Sequence, residues 1–303
     1  MKVLSLFDGI SCGMVALERA GIPVERYVAY EIDEDAIKVS IHNYPMIEQR
    51  GDVTAADFTQ YQEFDLLIGG SPCQDISNLS QKGQGLEGNK SGLFYHYLRA
   101  LQEVKPKYFL LENVVGRKDA IKTISELVGV EPIMIDSKLV SGQKRKRYYW
   151  TNIPNVTQPS DKGILLQDIL QKYEEAEAGY LSEGRLKWLQ SESGQKCVSK
   201  RFANIDGDKC QCLTARSEAS WNCQYVTQNG NIRHLTPIEY ERLQTLPDNY
   251  TNHVEDRERY KMLGNGWTVD VIAHILSFLP NEYKEGGMTY RKQANVHNED
   301  MRQ

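Results

Sequence analysis

Apolar and polar positions along the first half of the chain switch between two periodicities. Val3 to Phe7 is a short apolar run ending in the turn pair Asp8-Gly9, and it reads as a first strand. Val15, Ala16, Leu17 and Ala20 then supply an apolar face at helical spacing, closed by Gly21-Ile22-Pro23. Arg26 to Tyr30 reads as a second strand and Glu34 to Tyr44 as a second helix. Phe64 to Ile68 is the third clear strand, interrupted by Gly69-Gly70-Ser71-Pro72. The glycine- and polar-rich stretch from Ser77 to Ser91 predicts a mobile loop, followed by a helix from about Gly92 to Val104 that stops before Pro106. Tyr108 to Leu111, Pro132 to Ile135 and Arg147 to Trp150 are strand-like, with a helix expected over Ile121 to Val128. Strands alternating with helices predict an α/β fold with a largely parallel sheet covered on both faces.

Near Asn152 the pattern changes. From there to Asn231 the chain is polar and irregular, and regularity returns at Leu235 with helices expected over Pro237 to Leu246 and Trp267 to Leu279. The tail from Asn281 to Gln303 is polar and is expected to be loosely held. The economical organisation is one α/β domain over residues 1–152, a smaller inserted domain over 153–232, a return to the first domain over 233–280, and the tail.

Composition narrows this picture. The chain has 303 residues, 40% hydrophobic and 25% charged, as a globular protein does. No run approaches the roughly 20 apolar residues that a membrane span needs. The amino-terminal apolar stretch is too short for a signal peptide, so a soluble cytoplasmic protein with no membrane partner is expected. The net charge of −5 excludes a generally basic coat, yet Lys105 to Arg147 carries 10 Lys/Arg against 5 Asp/Glu. Such a zone is compatible with polyanion binding and equally with solvated surface charge. Of six cysteines, four fall between Cys197 and Cys223, spaced C-x12-C-x-C-x10-C. That spacing lacks the paired C-x2-C knuckles of structural zinc sites, which favours buried or incidental thiols and no metal.

In open α/β sheets, ligands sit beyond the carboxyl ends of strands. Residues with chemical potential stand at those ends: Phe7-Asp8-Gly9-Ile10 after the first strand, Glu31 with Ile32 after the second, Asp52-Val53 before the third clear strand. The first loop lacks G-x-G-x-x-G spacing and a Walker lysine. Its glycines allow close backbone approach, Glu31 can accept from ribose hydroxyls, and Asp52 can accept from an adenine amine. An adenosyl ligand without a pyrophosphate fits this set better than a dinucleotide; turns and solvated acids are the plain alternative. Cys73 follows Pro72 at another strand end, and a thiolate there is a potential nucleophile. Glu112, Arg145 and Arg147 add a carboxyl that can hold a proton and guanidinium donors, an addition–elimination set.

In their order these motifs resemble the cytosine-5 DNA methyltransferase family over most of the chain. Phe7-Asp8-Gly9 is similar to its cofactor loop, Pro72-Cys73-Gln74 to its nucleophile motif, Glu112-Asn113-Val114 to its Glu-Asn-Val motif and Gln143-Lys144-Arg145-Lys146-Arg147 to its Gln-x-Arg-x-Arg motif. Arg233, Leu235-Thr236, Glu239 and Arg242-Leu243-Gln244 match a late motif, and Gly264-Asn265-Gly266-Trp267 the final cofactor motif, with tryptophan where valine is usual. Several of these look closest to the animal de novo branch, although the length favours a bacterial or phage origin.

The resemblance implies a Rossmann-like methyltransferase sheet with an inserted target-recognition domain. It implies S-adenosyl-L-methionine held by Phe7, Asp8, Gly9, Ile10, Glu31, Ile32, Asp52, Val53, Pro72, Leu93, Asn265 and Trp267. Double-stranded DNA is the implied partner, with a target cytosine flipped out of the helix. Cys73, Glu112, Arg145 and Arg147 are the implied catalytic residues: Cys73 adds to C6, Glu112 bonds N3, Arg147 holds O2, and Arg145 meets a phosphate or the catalytic loop. The Ser77–Ser91 loop would close over the base. Arg201, Arg216 and Asn222 are candidate base readers, or simply exposed polar residues. Lys144–Arg147 reads as alternate residues of an active-site strand rather than a nuclear-localisation signal. A monomer is expected, with any cognate restriction endonuclease acting separately. A tRNA cytosine methyltransferase of the same family and a silent DNA-binding paralogue are the alternatives.

Overall fold

The computed structural model describes residues 1–71, 91–201, 207–216 and 223–284. Pro72, Cys73, Asn222, the expected loop up to residue 90 and the tail from 285 lie outside the described residues. The chain divides into two compact units, one of residues 1–135, 146–158 and 272–303, the other of 136–145 and 159–271.

The first unit is built on strands β1 (Lys2–Leu6), β2 (Arg26–Tyr30), β3 (Glu48–Gln49), β4 (Leu66–Gly69), β5 (Tyr108–Val114), β6 (Ile133–Asp136) and β7 (Lys146–Thr151). They form a seven-stranded sheet in the order β3-β2-β1-β4-β5-β7-β6. β1 runs parallel to β2 and β4, and β4 to β5, while β7 is antiparallel to β5. Helices α1 (Cys12–Arg19), α2 (Glu34–Asn43), α3 (Phe94–Val104) and α4 (Lys118–Val128) follow β1, β2, β4 and β5. In β1, Val3, Leu4, Ser5 and Leu6 are all buried, so the run is apolar on both faces, as an inner parallel strand requires. Leu4, Leu6, Val28, Leu67, Phe94, Tyr97, Leu111 and Trp150 share one hydrophobic cluster.

β4 ends in Gly69 for a steric reason. A Cβ there would stand 2.9 Å from the Leu6 carbonyl oxygen and 3.0 Å from the Tyr97 ring. The beginning of the polar tail is held more firmly than its composition suggests: the Tyr283 hydroxyl accepts from Lys107 Nζ at 2.9 Å, and its ring meets Tyr108 edge-on at 5.9 Å.

The second unit contains α5 (Glu183–Gln190), α6 (Glu192–Val198), a hairpin of β8 (Tyr225–Gln228) and β9 (Asn231–His234), α7 (Pro237–Leu243) and α8 (Asp256–Asn265). A last helix, α9 (Val269–Leu276), follows. Leu189, Val198, Cys223 and Tyr225 form a local core. α7 begins with a capping box, Thr236 and Glu239 exchanging side-chain and backbone bonds, and has Pro237 in its first turn. Glu239 also holds Arg233 in a bidentate pair at 2.7 and 2.9 Å, with both side chains essentially inaccessible.

Candidate functional site

The loop after β1 is a tight, left-handed path. Phe7, Gly9 and Ser11 each have φ of +58°, a region that costs an L-residue about 1–2 kcal/mol. Asp8 holds this path in place. Its carboxylate accepts from Ser5 Oγ at 2.6 Å, Ser11 Oγ at 2.5 Å and the Tyr27 hydroxyl at 2.7 Å. Burial pushes the Asp8 carboxyl up, against the opposing pull of those hydroxyls. Asp8 therefore faces into the turn as its brace, while the small Gly9 leaves open space where a Cβ would project. Ile10 is buried beneath.

Glu31 stands at the carboxyl end of β2 and is fixed by three backbone donors: Gly9 N–H at 2.8 Å, Ile32 N–H at 2.8 Å and Asp33 N–H at 2.9 Å. A carboxylate has about four acceptor positions, so it retains capacity for a ligand hydroxyl. Next to it, Ile32 is 70% exposed, an apolar face presented to solvent at a strand end. Asp52 is exposed and caps a short 3-10 turn, Val53–Ala55, by accepting from Thr54 N–H at 2.8 Å, which holds its carboxyl below the usual range. Val53 is buried in the main core, and Leu93, on the turn Ser91–Leu93 that leads into α3, packs against the same core. β1 lies between β2 and β4, so the chain winds away from it in both directions, the switch point at which open α/β sheets bind ligands.

A second cluster occupies the end of β5 and the start of β7. In this antiparallel pair Glu112 lies opposite Tyr149 and Val114 opposite Arg147, so Glu112 and Arg147 project from the same face. Arg147 Nε meets Glu112 Oε1 at 2.9 Å, both side chains being nearly buried. Asn113, buried, directs Nδ2 at Ser71 Oγ (3.2 Å) and the Ser71 carbonyl (3.4 Å), while its Oδ1 accepts from Val114 N–H. Ser71 directly precedes Pro72-Cys73, so Asn113 ties the root of that segment to the strand carrying Glu112. Asn113 entered the sequence reading only within the Glu-Asn-Val motif, and its bond to Ser71 is a long-range contact that no local pattern marks.

The remaining candidates belong to the second unit. Arg145 is buried, and its guanidinium donates to the carbonyls of Leu213 (2.9 Å), Gly264 (3.2 Å) and Gly266 (2.8 Å) and to Cys212 Sγ. Gln143 is buried too and bonds the Leu243 carbonyl and the Gln244 amide. Gly264 must lack a side chain, since a Cβ would fall 2.2 Å from the Thr214 carbonyl. Asn265 is exposed and Trp267 half-buried. Arg201 ends the short turn Ser199–Arg201, and Arg216 is exposed. Cys210 and Cys223 are buried thiols, pushed up by desolvation.

These features define an α/β protein with carboxylates gathered at its topological switch point and a carboxylate–guanidinium pair on neighbouring strands. The profile of the family described as C-5 cytosine-specific DNA methylase matches residues 1–126 and 117–280, and the chain belongs to that family. An orphan methyltransferase, M.SPRI of Bacillus phage SPR, is 34% identical over 188 residues, covering 57% of this chain and 43% of its own length. The chain thus pairs with less than half of that relative. The type II methyltransferase M1.ScrFI of Lactococcus lactis subsp. cremoris is 28% identical over 301 residues, 90% of this chain and 76% of its own. The fold matches the Entamoeba histolytica methyltransferase EhMeth with a TM-score of 0.76 at 18% identity, over 94% of this chain and 99% of that one. Phage and bacterial relatives agree with the origin expected from the sequence.

Proposed function

We propose that the protein is a DNA (cytosine-5) methyltransferase acting on double-stranded DNA with S-adenosyl-L-methionine. The observation that carries this reading is the Glu112–Arg147 pair, joined through Asn113 to the root of the segment bearing Cys73. The cradle fits an adenosyl group: a fixed carboxylate at Glu31 for a ribose hydroxyl, the exposed apolar side chain of Ile32 for a purine face, and the Asp52 carboxylate for an amine. Phe7, Gly9 and Leu93 stand in the same unit, with Asp8 acting through the turn it braces, and the family's motifs also assign Ile10, Val53, Pro72, Asn265 and Trp267 to the cofactor. When bound, the cofactor supplies an electrophilic methyl group.

C5 of cytosine is a poor nucleophile, so the protein must enrich it. The Cys73 sulfur adds to C6 of a flipped cytosine while Glu112 bonds or protonates N3, and the ring becomes an enamine with a nucleophilic C5. After C5 is methylated, loss of its proton restores the double bond and expels the sulfur. Arg147 holds O2 while remaining within reach of Glu112. Arg145, bonded to three carbonyls, positions the strand that carries Arg147. The 153–232 segment reads the target in the major groove, with Arg201, Arg216 and Asn222 as candidates. Bisulfite sequencing of plasmid DNA from cells expressing the protein is expected to show fully protected cytosines within one short sequence. Their absence, with methyl incorporation into tRNA instead, would move the assignment to the tRNA branch.

A further inference from the structure

Arg145 is almost wholly buried, and its planar guanidinium divides its bonds between two segments. From Nη2 it donates to the carbonyls of Gly264 and Gly266, where α8 ends and the last carbonyls lack partners within the helix. From Nη1 it donates to the Leu213 carbonyl. Leu213 belongs to a stretch that runs alongside residues 142–145. Cys210 N–H donates to the Gly142 carbonyl at 2.6 Å, the Cys210 carbonyl accepts from Lys144 N–H at 2.8 Å, and Leu213 N–H reaches Gln143 Oε1 at 3.4 Å. Beyond Leu213 the backbone passes directly against the end of α8. A Cβ on Gly264 would overlap the Thr214 carbonyl and come within 2.5 Å of the Ala215 nitrogen, so only glycine permits this approach. Arg216, the next residue, is exposed and is the first charged side chain to leave this seat.

We infer that Arg145 and Gly264 are positioning residues for target choice: together they seat residues 212–215 so that Arg216 meets a guanine of the recognition sequence in the major groove. The inference rests on the DNA reading above and deepens it, giving Arg145 a task besides holding the strand that carries Arg147. An arginine reads guanine through two bonds, to O6 and N7, and both must be aligned at once. A loose backbone would let that fork swing, and ordering it would cost affinity for the correct base. The stretch before Arg216 is instead held by backbone bonds to residues 142–144 and by close contact with the end of α8, so the base contact starts from a fixed point. Lysine at position 145 keeps the positive charge but has no planar fork with which to hold two segments. Alanine at position 264 forces the Thr214–Ala215 backbone away from α8.

The test offers the full chain its methylated sequence, as found by bisulfite sequencing, in duplexes where each guanine pair is replaced in turn. For wild type, Arg216→Ala, Arg145→Lys and Gly264→Ala, kcat/KM on each altered duplex is divided by that on the unaltered one. The ratio is taken within one preparation, so a smaller folded fraction cancels and a merely structural loss does not move it. Arg216→Ala is expected to relax discrimination at one guanine by about tenfold or more. Arg145→Lys and Gly264→Ala should relax it at the same guanine by at least about threefold, and Arg145→Lys combined with Arg216→Ala should relax it no further than Arg216→Ala alone. Where a variant turns over too slowly, competition between the same duplexes in fluorescence anisotropy gives the ratio. Should Arg145→Lys fail to fold by circular dichroism, Gly264→Ala carries the same decision. Unchanged ratios in Arg216→Ala or in the seat variants, or equal weakening on every duplex as a phosphate contact would give, overturn the inference and leave the DNA reading intact. A folded wild type that methylates no duplex overturns the DNA reading, and this inference with it.

Discussion

At the scale of single residues, the account turns on what each carboxylate has for neighbours. Glu31 meets backbone N–H groups, Asp8 meets hydroxyls and Glu112 meets a guanidinium. Of these three, Glu112 alone is paired with a guanidinium. Glu112→Gln keeps the size and removes the acid, so methyl incorporation into duplex DNA should fall in kcat by about 100-fold or more. Binding of S-adenosylhomocysteine, measured separately, should change little, because Glu112 lies on β5 and the proposed cofactor residues lie at the ends of β1 and β2. Glu31, Glu112 and Arg147 were legible in the sequence because each ends or begins a strand-like run. The inward turn of Asp8 was not, because it depends on Tyr27, which is far along the chain and carries no signal of its own.

At the scale of elements, the parallel strands and their helices follow from apolar runs broken by Gly, Pro and Asp. β2 spans Arg26–Tyr30, as its pattern indicates. Elements with a polar surface were missed. Half of α8 is charged, and its buried face carries Arg259, satisfied by Glu241, beside Tyr260, Met262 and Leu263. The β8–β9 hairpin turns on Asn229 and Gly230, both with positive φ, between short strands of mixed polarity. The start of α7 depends on one buried carboxylate in two roles, cap and ion-pair partner. Glu239→Ala leaves Arg233 buried without a counter-charge and should cost about 3–5 kcal/mol of stability. Chemical denaturation would measure this, and the double variant Arg233→Met, Glu239→Leu should recover much of the loss. A loss below about 1 kcal/mol for the single variant would show that the pair contributes little.

At the scale of the whole molecule, charge is unevenly distributed along a net-acidic chain. The excess of Lys and Arg between Lys105 and Arg147 surrounds the Glu-Asn-Val and Gln-x-Arg-x-Arg motifs, and the proposed function brings a DNA backbone to them. Raising salt from about 50 to about 200 mM should therefore weaken duplex binding by at least about tenfold, with log affinity linear in log salt. A flat profile in fluorescence anisotropy would remove DNA from the account. Residues 136–145 and 159–271 form one compact unit through long-range bonds such as Arg145 to Gly266, which no local pattern encodes. Glu31 and Arg147 lie beside strand ends that short-range sequence pattern marks.

The most direct measurement offers the folded protein duplex DNA containing 5-fluorocytosine together with S-adenosylmethionine. Fluorine at C5 cannot leave as a proton does, so the sulfur added at C6 is trapped. A denaturation-resistant protein–DNA adduct mapping to Cys73, absent in Cys73→Ser, is the expected result. Wild-type protein that methylates ordinary cytosine yet forms no such adduct, or an adduct that survives in Cys73→Ser, would contradict the account.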